Sequence, residues 1–298
     1  VIKTLVESFL YDASRGKASL SPEVVKEFGE SCQKAIEKQF NSGEREWRLR
    51  MSGVGKPLCQ QQLEKKNIEY ETEYNAIVKF LLGDLIEAMA IAILRGAGIE
   101  LEKIQEPVSL DIANIKLEGT YDVKIDGKIW DIKSASPASF TNKFGEYGGF
   151  ERIKQEDTFG YVDQGLMYAS GDKSQFGGWI AINKVTGEFA VCEAPDNQEE
   201  EIKESKKRIS SNINKINKDA KFKKCFSDTK ETYKVRTGKD KGIEKETGNR
   251  ILNTICGYCG YKKHCWPNAE MHPKITSRAK AKPVVWYSKL KTTEITDL

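Results

Sequence analysis

The segment Tyr121-Asp122-Val123-Lys124-Ile125-Asp126-Gly127-Lys128-Ile129-Trp130-Asp131-Ile132-Lys133 constrains the fold of this chain more than any other. Asp-Gly between two β-prone runs is the strongest short hairpin signal, because a type I′ turn needs positive φ at both central residues. A two-residue loop at Asp126-Gly127 pairs Ile125 with Lys128, Val123 with Trp130 and Asp122 with Asp131. Directly opposed residues share a face, so Asp122, Asp131 and Lys133 are expected on one side. Tyr121, Val123, Ile125, Trp130 and Ile132 then make an apolar opposite face. Two adjacent carboxylates repel unless a cation lies between them, so the charged face reads as a metal site with a lysine beside it. The competing reading is a hairpin with one solvated, charged face.

With 298 residues, 39% of them hydrophobic and 31% charged, the chain is expected to be soluble and to form one large domain or two modest ones. No apolar run approaches the length of a membrane span and the N-terminus carries no signal-peptide pattern, so a cytoplasmic protein without a membrane partner is expected. In that compartment clustered cysteines point to metal rather than disulfides. The net charge of +4 is unevenly spread: residues 201–250 hold sixteen Lys/Arg against eight Asp/Glu. Such a surplus is a footprint of a polyanion partner, although lysine-rich solvated helices produce it too.

Ser21-Pro22-Glu23 reads as an N-cap with Pro at N1, opening a helix to about Phe40 and leaving residues 1–42 as a helical extension. Helices are also expected over 60–69, 74–94 and 159–170, and strands over 107–118, 120–133, 177–183 and 188–191. Residues 137–158 read as a mobile loop and 227–250 as weakly ordered. The order of elements argues for an α/β (α+β) fold with a mixed sheet flanked by helices. The expected division is an extension at 1–42, a core at 43–200, a basic helical and Cys-rich segment at 201–270, and a basic tail at 271–298.

Glu87 lies in a strongly apolar helical run, where a carboxylate is costly unless paired or bound to a cation. Gly83, one turn earlier on the same face, would let the helix approach a strand closely. The alternative places Glu87 on a narrow solvated stripe with Asp84 and Arg95. Gln164 and Tyr168 share a helical face, a pattern without specificity of its own.

The sets Gly83-x-x-x-Glu87, Gly119-x-x-Asp122, Asp131-x-Lys133 and Gln164-x-x-x-Tyr168 occur in this order. Order and spacing resemble the PD-(D/E)XK nuclease superfamily, specifically its RecB-like branch, over roughly residues 45–195. Glu87 stands where that branch often has histidine, as in its lambda-exonuclease-like relatives. The resemblance implies a restriction-endonuclease-like fold and a deoxyribonuclease that binds Mg²⁺ or Mn²⁺ through Glu87, Asp122, Asp131 and the carbonyl of Ile132. It implies that Lys133 orients the attacking water and that Gln164 and Tyr168 position the substrate. It favours exonuclease action on DNA ends in recombination, replication or repair, for instance in a bacteriophage, with a recombination or replication protein as a further partner. Trimming of integration precursors in CRISPR adaptation is a second pathway. A non-catalytic nucleic-acid-binding protein is a third reading, opposed by the joint presence of Asp122, Asp131 and Lys133.

Cys256-x2-Cys259-x5-Cys265, with Cys59 far upstream, is similar to the iron–sulfur-cluster nucleases, among them the CRISPR adaptation nuclease and the AddB nuclease domain. That likeness implies a [4Fe–4S] cluster on four thiolates. Because 196 residues lie between Cys59 and Cys256, closing that loop removes about 4–5 kcal/mol of unfolded-chain entropy. The rival is Zn²⁺ on Cys256, Cys259 and Cys265 with Cys59, His264 or His272. Cys32, Cys192 and Cys225 read as ordinary thiols. Arg45, Arg48, Arg50, Ser52 and Lys56 precede Cys59 and are candidate phosphate contacts, although on these residues alone a solvated loop accounts for them equally well.

Overall fold

The Asp126-Gly127 turn forms with both residues at positive φ, 50° and 70°. Ile125 pairs with Lys128 and Val123 with Trp130. The computed structural model describes residues 1–41, 43, 46–70 and 73–291, so Arg45 and the end of the expected tail lie outside the described residues. The fold is mixed α+β, as expected, with a five-stranded mixed sheet, a four-stranded antiparallel sheet and flanking helices. The chain divides into two compact units, residues 1–56 with 73–218, and residues 57–72 with 219–298.

Helices α1 (Ile2–Ala13) and α2 (Pro22–Phe40) open the first unit, α3 (Leu58–Lys65) belongs to the second, and α4 (Ala76–Gly96) returns to the first. Ser21 caps α2 by accepting the Val24 N–H, with Pro22 at the first helical position. The five-stranded sheet runs β1 (Lys103–Ile112), β2 (Ile115–Ile125), β3 (Lys128–Ala135), β4 (Gln175–Asn183), β5 (Phe189–Glu193). All neighbours are antiparallel except β3 and β4, whose parallel pairing requires a crossover. The crossover carries α5 (Pro137–Ser139), a π-turn at Phe140–Phe144, α6 (Phe150–Gln155) and α7 (Tyr161–Asp172). Helix α8 (Glu199–Asn217) completes the unit. Where one strand was expected at 107–118, there are parts of two. Ala113 and Asn114, both at positive φ, make a tight turn that the residue types do not announce.

The stretch 137–158 is ordered rather than a mobile loop. Phe140, Phe144, Phe150 and Ile153 are buried with Trp179, and four apolar anchors scattered among Gly and Ser carry no helical period. Two cores sandwich the sheet. One, on the α7 side, holds Leu117, Tyr121, Ile129, Leu166 and Trp179. The other, on the α4 side, holds Val123, Ile125, Trp130, Ile132, Ala90 and Leu94. Tyr121 is therefore not on the face of Val123 and Ile125, contrary to strict alternation. The pairs Ile104–Val123 and Glu106–Tyr121 bracket a break at Gln105 and Asp122, where Gln105 has φ 48°. The pleat inverts there, and the Asp122–Asp131 pair expected from the turn is not part of the ladder.

Helix α7 is held at both ends. Asp157 accepts the Tyr161 and Val162 N–H groups at its start. At its end Asp172 accepts from Lys124 at 2.7 Å and Tyr121 at 3.3 Å, both on β2. Asp163 pairs with Arg208 of α8.

The second unit contains β6 (Thr229–Lys234), β7 (Glu244–Ile251), α9 (Thr254–Tyr258), α10 (Lys262–Cys265), β8 (Glu270–Pro273) and β9 (Val284–Lys289), in sheet order β6-β7-β9-β8. Strands thus replace the weakly ordered 227–250 and part of the expected tail, and α8 is the one long helix in 201–270. These strands escape sequence reading because polar residues fill them, including the buried Glu231 and Asn249. The basic surplus of 201–250 is split between the units. No helix among the described residues is long and apolar enough to cross a membrane.

Gly127 at φ 70° faces open space, so an added Cβ meets only its own backbone strain. Gly127→Ala is expected to lower stability by about 1 kcal/mol through that strain alone. Urea unfolding at unchanged m-value checks it, and an unaltered midpoint would show that this turn does not pin the hairpin.

Candidate functional site

Inversion of the pleat at Asp122 puts this carboxylate where two elements reach it. Its Oδ2 accepts the Ile132 N–H at 2.6 Å, tying β2 to β3 beyond the last ladder pair. Asp131 and Lys133 lie on the face of Ile129 and Ala135, toward α7, and Lys133 Nζ is 2.6 Å from Asp131 Oδ2. That face is covered rather than solvated: Asp131 is buried, and Lys133 also lies over the Tyr161 ring, 4.8 Å from its centroid.

From the other side α4 brings Glu87, whose Oε1 accepts from Gln105 Nε2 at 2.9 Å. Glu87, Asp84, Gln105, Thr120, Asp122 and Lys38 of α2 line a cavity of about 360 Å³. The solvated-stripe alternative for Glu87 fails, since Arg95 pairs with Glu27, and Asp84 with Lys38 and Gln39. Gly83 does not serve as a close-approach residue: an added Cβ would lie 3.9 Å from Ser134 Oγ, an ordinary contact. Gly119 does serve as one, because a Cβ there would meet the Tyr168 ring and Met51 at under 3 Å.

Gln164 donates to the Tyr168 hydroxyl at 3.2 Å, so the two form one unit on α7. Burial pushes the Tyr168 hydroxyl up to about 12, eased by Gln164 and raised further by Asp131 and Asp122, which keeps it protonated at neutral pH. Arg50 and Ser52 line a groove of about 670 Å³ with Arg48, Lys38, Lys116 and Tyr168. Lys56 is not among the residues lining it. Ile132 buries its side chain on the α4 side and gives its N–H to Asp122.

Electrostatically the site has too many carboxylates. Burial, followed by Glu87 and Asp131, holds the Asp122 carboxyl well above its ordinary value, against Lys133 and the Ile132 N–H. Burial raises Glu87 as well. For Lys133, burial opposes the charge, but Asp131 and Asp122 outweigh it and keep the ammonium protonated. Asp131 is raised by burial and lowered by Lys133. The charged pair is the better description, because at 2.6 Å a neutral Asp131 would leave the buried Lys133 uncompensated.

A divalent cation would relieve the same excess, and carboxylate oxygens suit Mg²⁺ or Mn²⁺. Among the described residues no three such side chains converge tightly enough to cage an ion as they stand, so binding requires rotamer changes.

In the second unit Cys59, Cys256, Cys259 and Cys265 line one apolar cavity with Leu63, Phe226 and Trp266. Cys225, read from the sequence as an ordinary thiol, belongs with them: its Sγ accepts the Cys59 N–H at 3.0 Å. Its bonding to Cys59, with burial second, holds the Cys59 thiol above its ordinary value. Burial and then Cys259 push Cys256 up to about 11. Among the described residues no three of these thiols converge tightly enough to hold a metal as they stand, so a cluster or a zinc ion would need them to shift. His272 lies with Glu270 and Tyr287, and His264 against Phe222. Gln105, Tyr161, Lys38 and Cys225 carry no sequence signal, since each is placed by tertiary packing.

No family model matches the sequence, and no curated protein matches it. Among solved structures the chain is similar to SSO0001, at 13% identity and TM-score 0.38, over 65% of this chain and 86% of that one. It is also similar to a protein of Eubacterium rectale provisionally named an exonuclease, at 19% identity and TM-score 0.33, over 64% and 76%. Superpositions this loose carry no argument about the chemistry.

An acid that ionises less readily folded than unfolded favours folding at low pH, and that advantage is lost as pH rises through the raised pKa. In EDTA, wild type is therefore expected to lose stability relative to Asp122→Asn as pH rises from about 4, the ordinary carboxylate value, through the raised pKa. Mn²⁺ is expected to narrow the gap. Thermal midpoints across that range check this, and a pH-independent gap would show that Asp122 is not the strained acid.

Proposed function

We propose that the first unit hydrolyses DNA phosphodiester bonds with a divalent cation held by Glu87, Asp122 and Asp131. The observation that supports this most is Asp122, which shares a cavity with Glu87 and lies within electrostatic reach of Asp131 and Lys133, next to a groove lined by Arg48, Arg50, Ser52 and Lys116. When bound, the cation supplies Lewis-acid charge to the phosphoryl group and acidifies water. Lys133, kept protonated and fixed by Asp131 and Tyr161, stabilises negative charge as it develops on the phosphate. Tyr168 donates a hydrogen bond to a phosphate oxygen, with Gln164 holding its hydroxyl in place. Arg50 and Ser52 bind backbone phosphates without reading sequence.

The finer reading is an exonuclease acting on DNA ends in recombination, replication or repair, in keeping with the order of the four motifs. In the second unit we propose a structural metal centre on Cys59, Cys256, Cys259 and Cys265. The motif spacing supports [4Fe–4S], and a single Zn²⁺ is the alternative.

End-labelled single- and double-stranded DNA incubated with Mg²⁺ or Mn²⁺ tests the activity. Asp131→Ala and Lys133→Ala are each expected to reduce cleavage at least a hundredfold with DNA binding retained. Asp131→Ala retaining more than about a tenth of the wild-type rate would refute the assignment, since removing a metal ligand costs far more.

Metal content is a separate test. Protein purified without oxygen is expected to be brown, with about four irons per chain. One zinc and no iron would select the alternative. Cys59→Ala is expected to lower thermal stability and metal content, with cleavage per folded molecule unchanged. A stable, metal-replete but inactive Cys59→Ala protein would place Cys59 at the chemistry instead.

A further inference from the structure

We infer that the four-stranded sheet of the second unit carries a nucleic-acid site of its own, one that grips the sugar–phosphate backbone of a single strand. An open cavity of about 660 Å³ lies over β6, with one wall from β7 and another from the β8–β9 connection. Five cations line it: Lys234, Arg236, Lys245, Arg278 and Lys282. Among the described residues no carboxylate lines it, although Glu244 holds the Thr232 hydroxyl. Lys245 pairs with Asp240, while Lys234, Arg236, Arg278 and Lys282 form no ion pair among the described residues. Four unpaired cations around one cavity repel each other, and a polyanion removes that repulsion.

The remaining lining narrows the ligand. Thr237 and Ser277 add hydroxyls among the cations, while the Thr232 and Thr276 hydroxyls are held by Glu244 and Glu231; Arg, Lys, Ser, Thr and Tyr are side chains that bond phosphate and sugar oxygens. Tyr233 adds a half-exposed aromatic ring in the same wall, a surface on which an unpaired base stacks and a base inside a duplex does not.

The platform is also rigid, which a loose lysine patch is not. Beneath it the buried Glu231 carboxylate accepts from Tyr287 at 2.8 Å, Asn249 at 2.8 Å, Thr247 at 3.1 Å and Thr276 at 3.3 Å. Burial works against its charge, but these four bonds outweigh it and hold the carboxyl below its ordinary value. Tyr287 accepts the Ile275 N–H as well, so the segment carrying Thr276, Ser277 and Arg278 is tied down onto β6. Catalysis is not needed for binding here, so the inference stands apart from the hydrolytic reading.

Full-length protein in EDTA, titrated into fluorescein-labelled oligo-dT at several salt concentrations and followed by anisotropy, tests it. Lys234→Glu/Arg236→Glu/Arg278→Glu/Lys282→Glu is expected to bind at least tenfold more weakly. Its slope of log affinity against log salt is expected to fall by about 3, at about 0.7 for each phosphate that is no longer neutralised. Lys3→Glu/Lys17→Glu/Lys26→Glu/Lys184→Glu, with the same net charge, is expected to stay within about twofold of wild type, these residues being exposed, part of the first unit and not among the cavity lining. Equal weakening in both variants, or none in the first at unchanged thermal midpoint, would overturn the site. If the first variant is destabilised, the four Gln substitutions are measured against the same criteria. Tighter binding of a duplex of equal length, or equal competition by polyglutamate, would overturn the single-strand or the nucleic-acid assignment respectively. Cleavage in Mn²⁺ is scored separately, so failure of the hydrolytic reading leaves this result intact.

Discussion

The bond from the Ile132 N–H to the Asp122 carboxylate is the interaction on which the first unit's site depends. It forms where the pleat of β2 inverts, with Gln105 at positive φ opposite, and it replaces the ladder pair that regular alternation would have made. Because of the inversion, Asp122 shares a cavity with Glu87 from α4 and also lies within electrostatic reach of Asp131 and Lys133. A regular strand would have given the carboxylate to one side or the other. The cost is visible in its raised pKa, the mark of a group whose surroundings want one more positive charge.

Positioning around that point is rigid because both faces of the sheet are packed. Large side chains such as Trp179 and Tyr121 on one side, and Trp130 and Leu94 on the other, each contribute about 1.5–3 kcal/mol when fully buried. The helix bearing Gln164 and Tyr168 is fastened by Asp157, Asp163 and Asp172, so neither end is free to drift. Gly119 lets β2 lie directly against the Tyr168 ring.

The second unit is built on different terms. Its sheet is centred on a satisfied carboxylate rather than on apolar alternation, and its cysteines gather around a small apolar space. Small units with thin cores commonly rely on a metal or disulfide staple. The metal centre proposed for Cys59, Cys256, Cys259 and Cys265 would have that role.

Sequence alone determined whatever depends on local chemistry. The Asp126-Gly127 turn, the Ser21 cap, the apolar helix around Glu87 and the Gln164–Tyr168 face are all legible, because turn residues, caps and helical spacing act over a few positions. The grouping of Cys59 with the distant Cys256, Cys259 and Cys265 was legible from spacing and resemblance. Tertiary structure decided the rest. Tyr121 changes face because of a break opposite Gln105, which no residue pattern marks. Residues 137–158 are ordered by four apolar anchors that pack on Trp179, without a period of their own. Cys225 joins the thiols, and Glu231 organises a polar sheet, because partners far along the chain satisfy them. Local patterns record what a residue can do with its neighbours; which distant groups it meets is set only when the chain closes on itself.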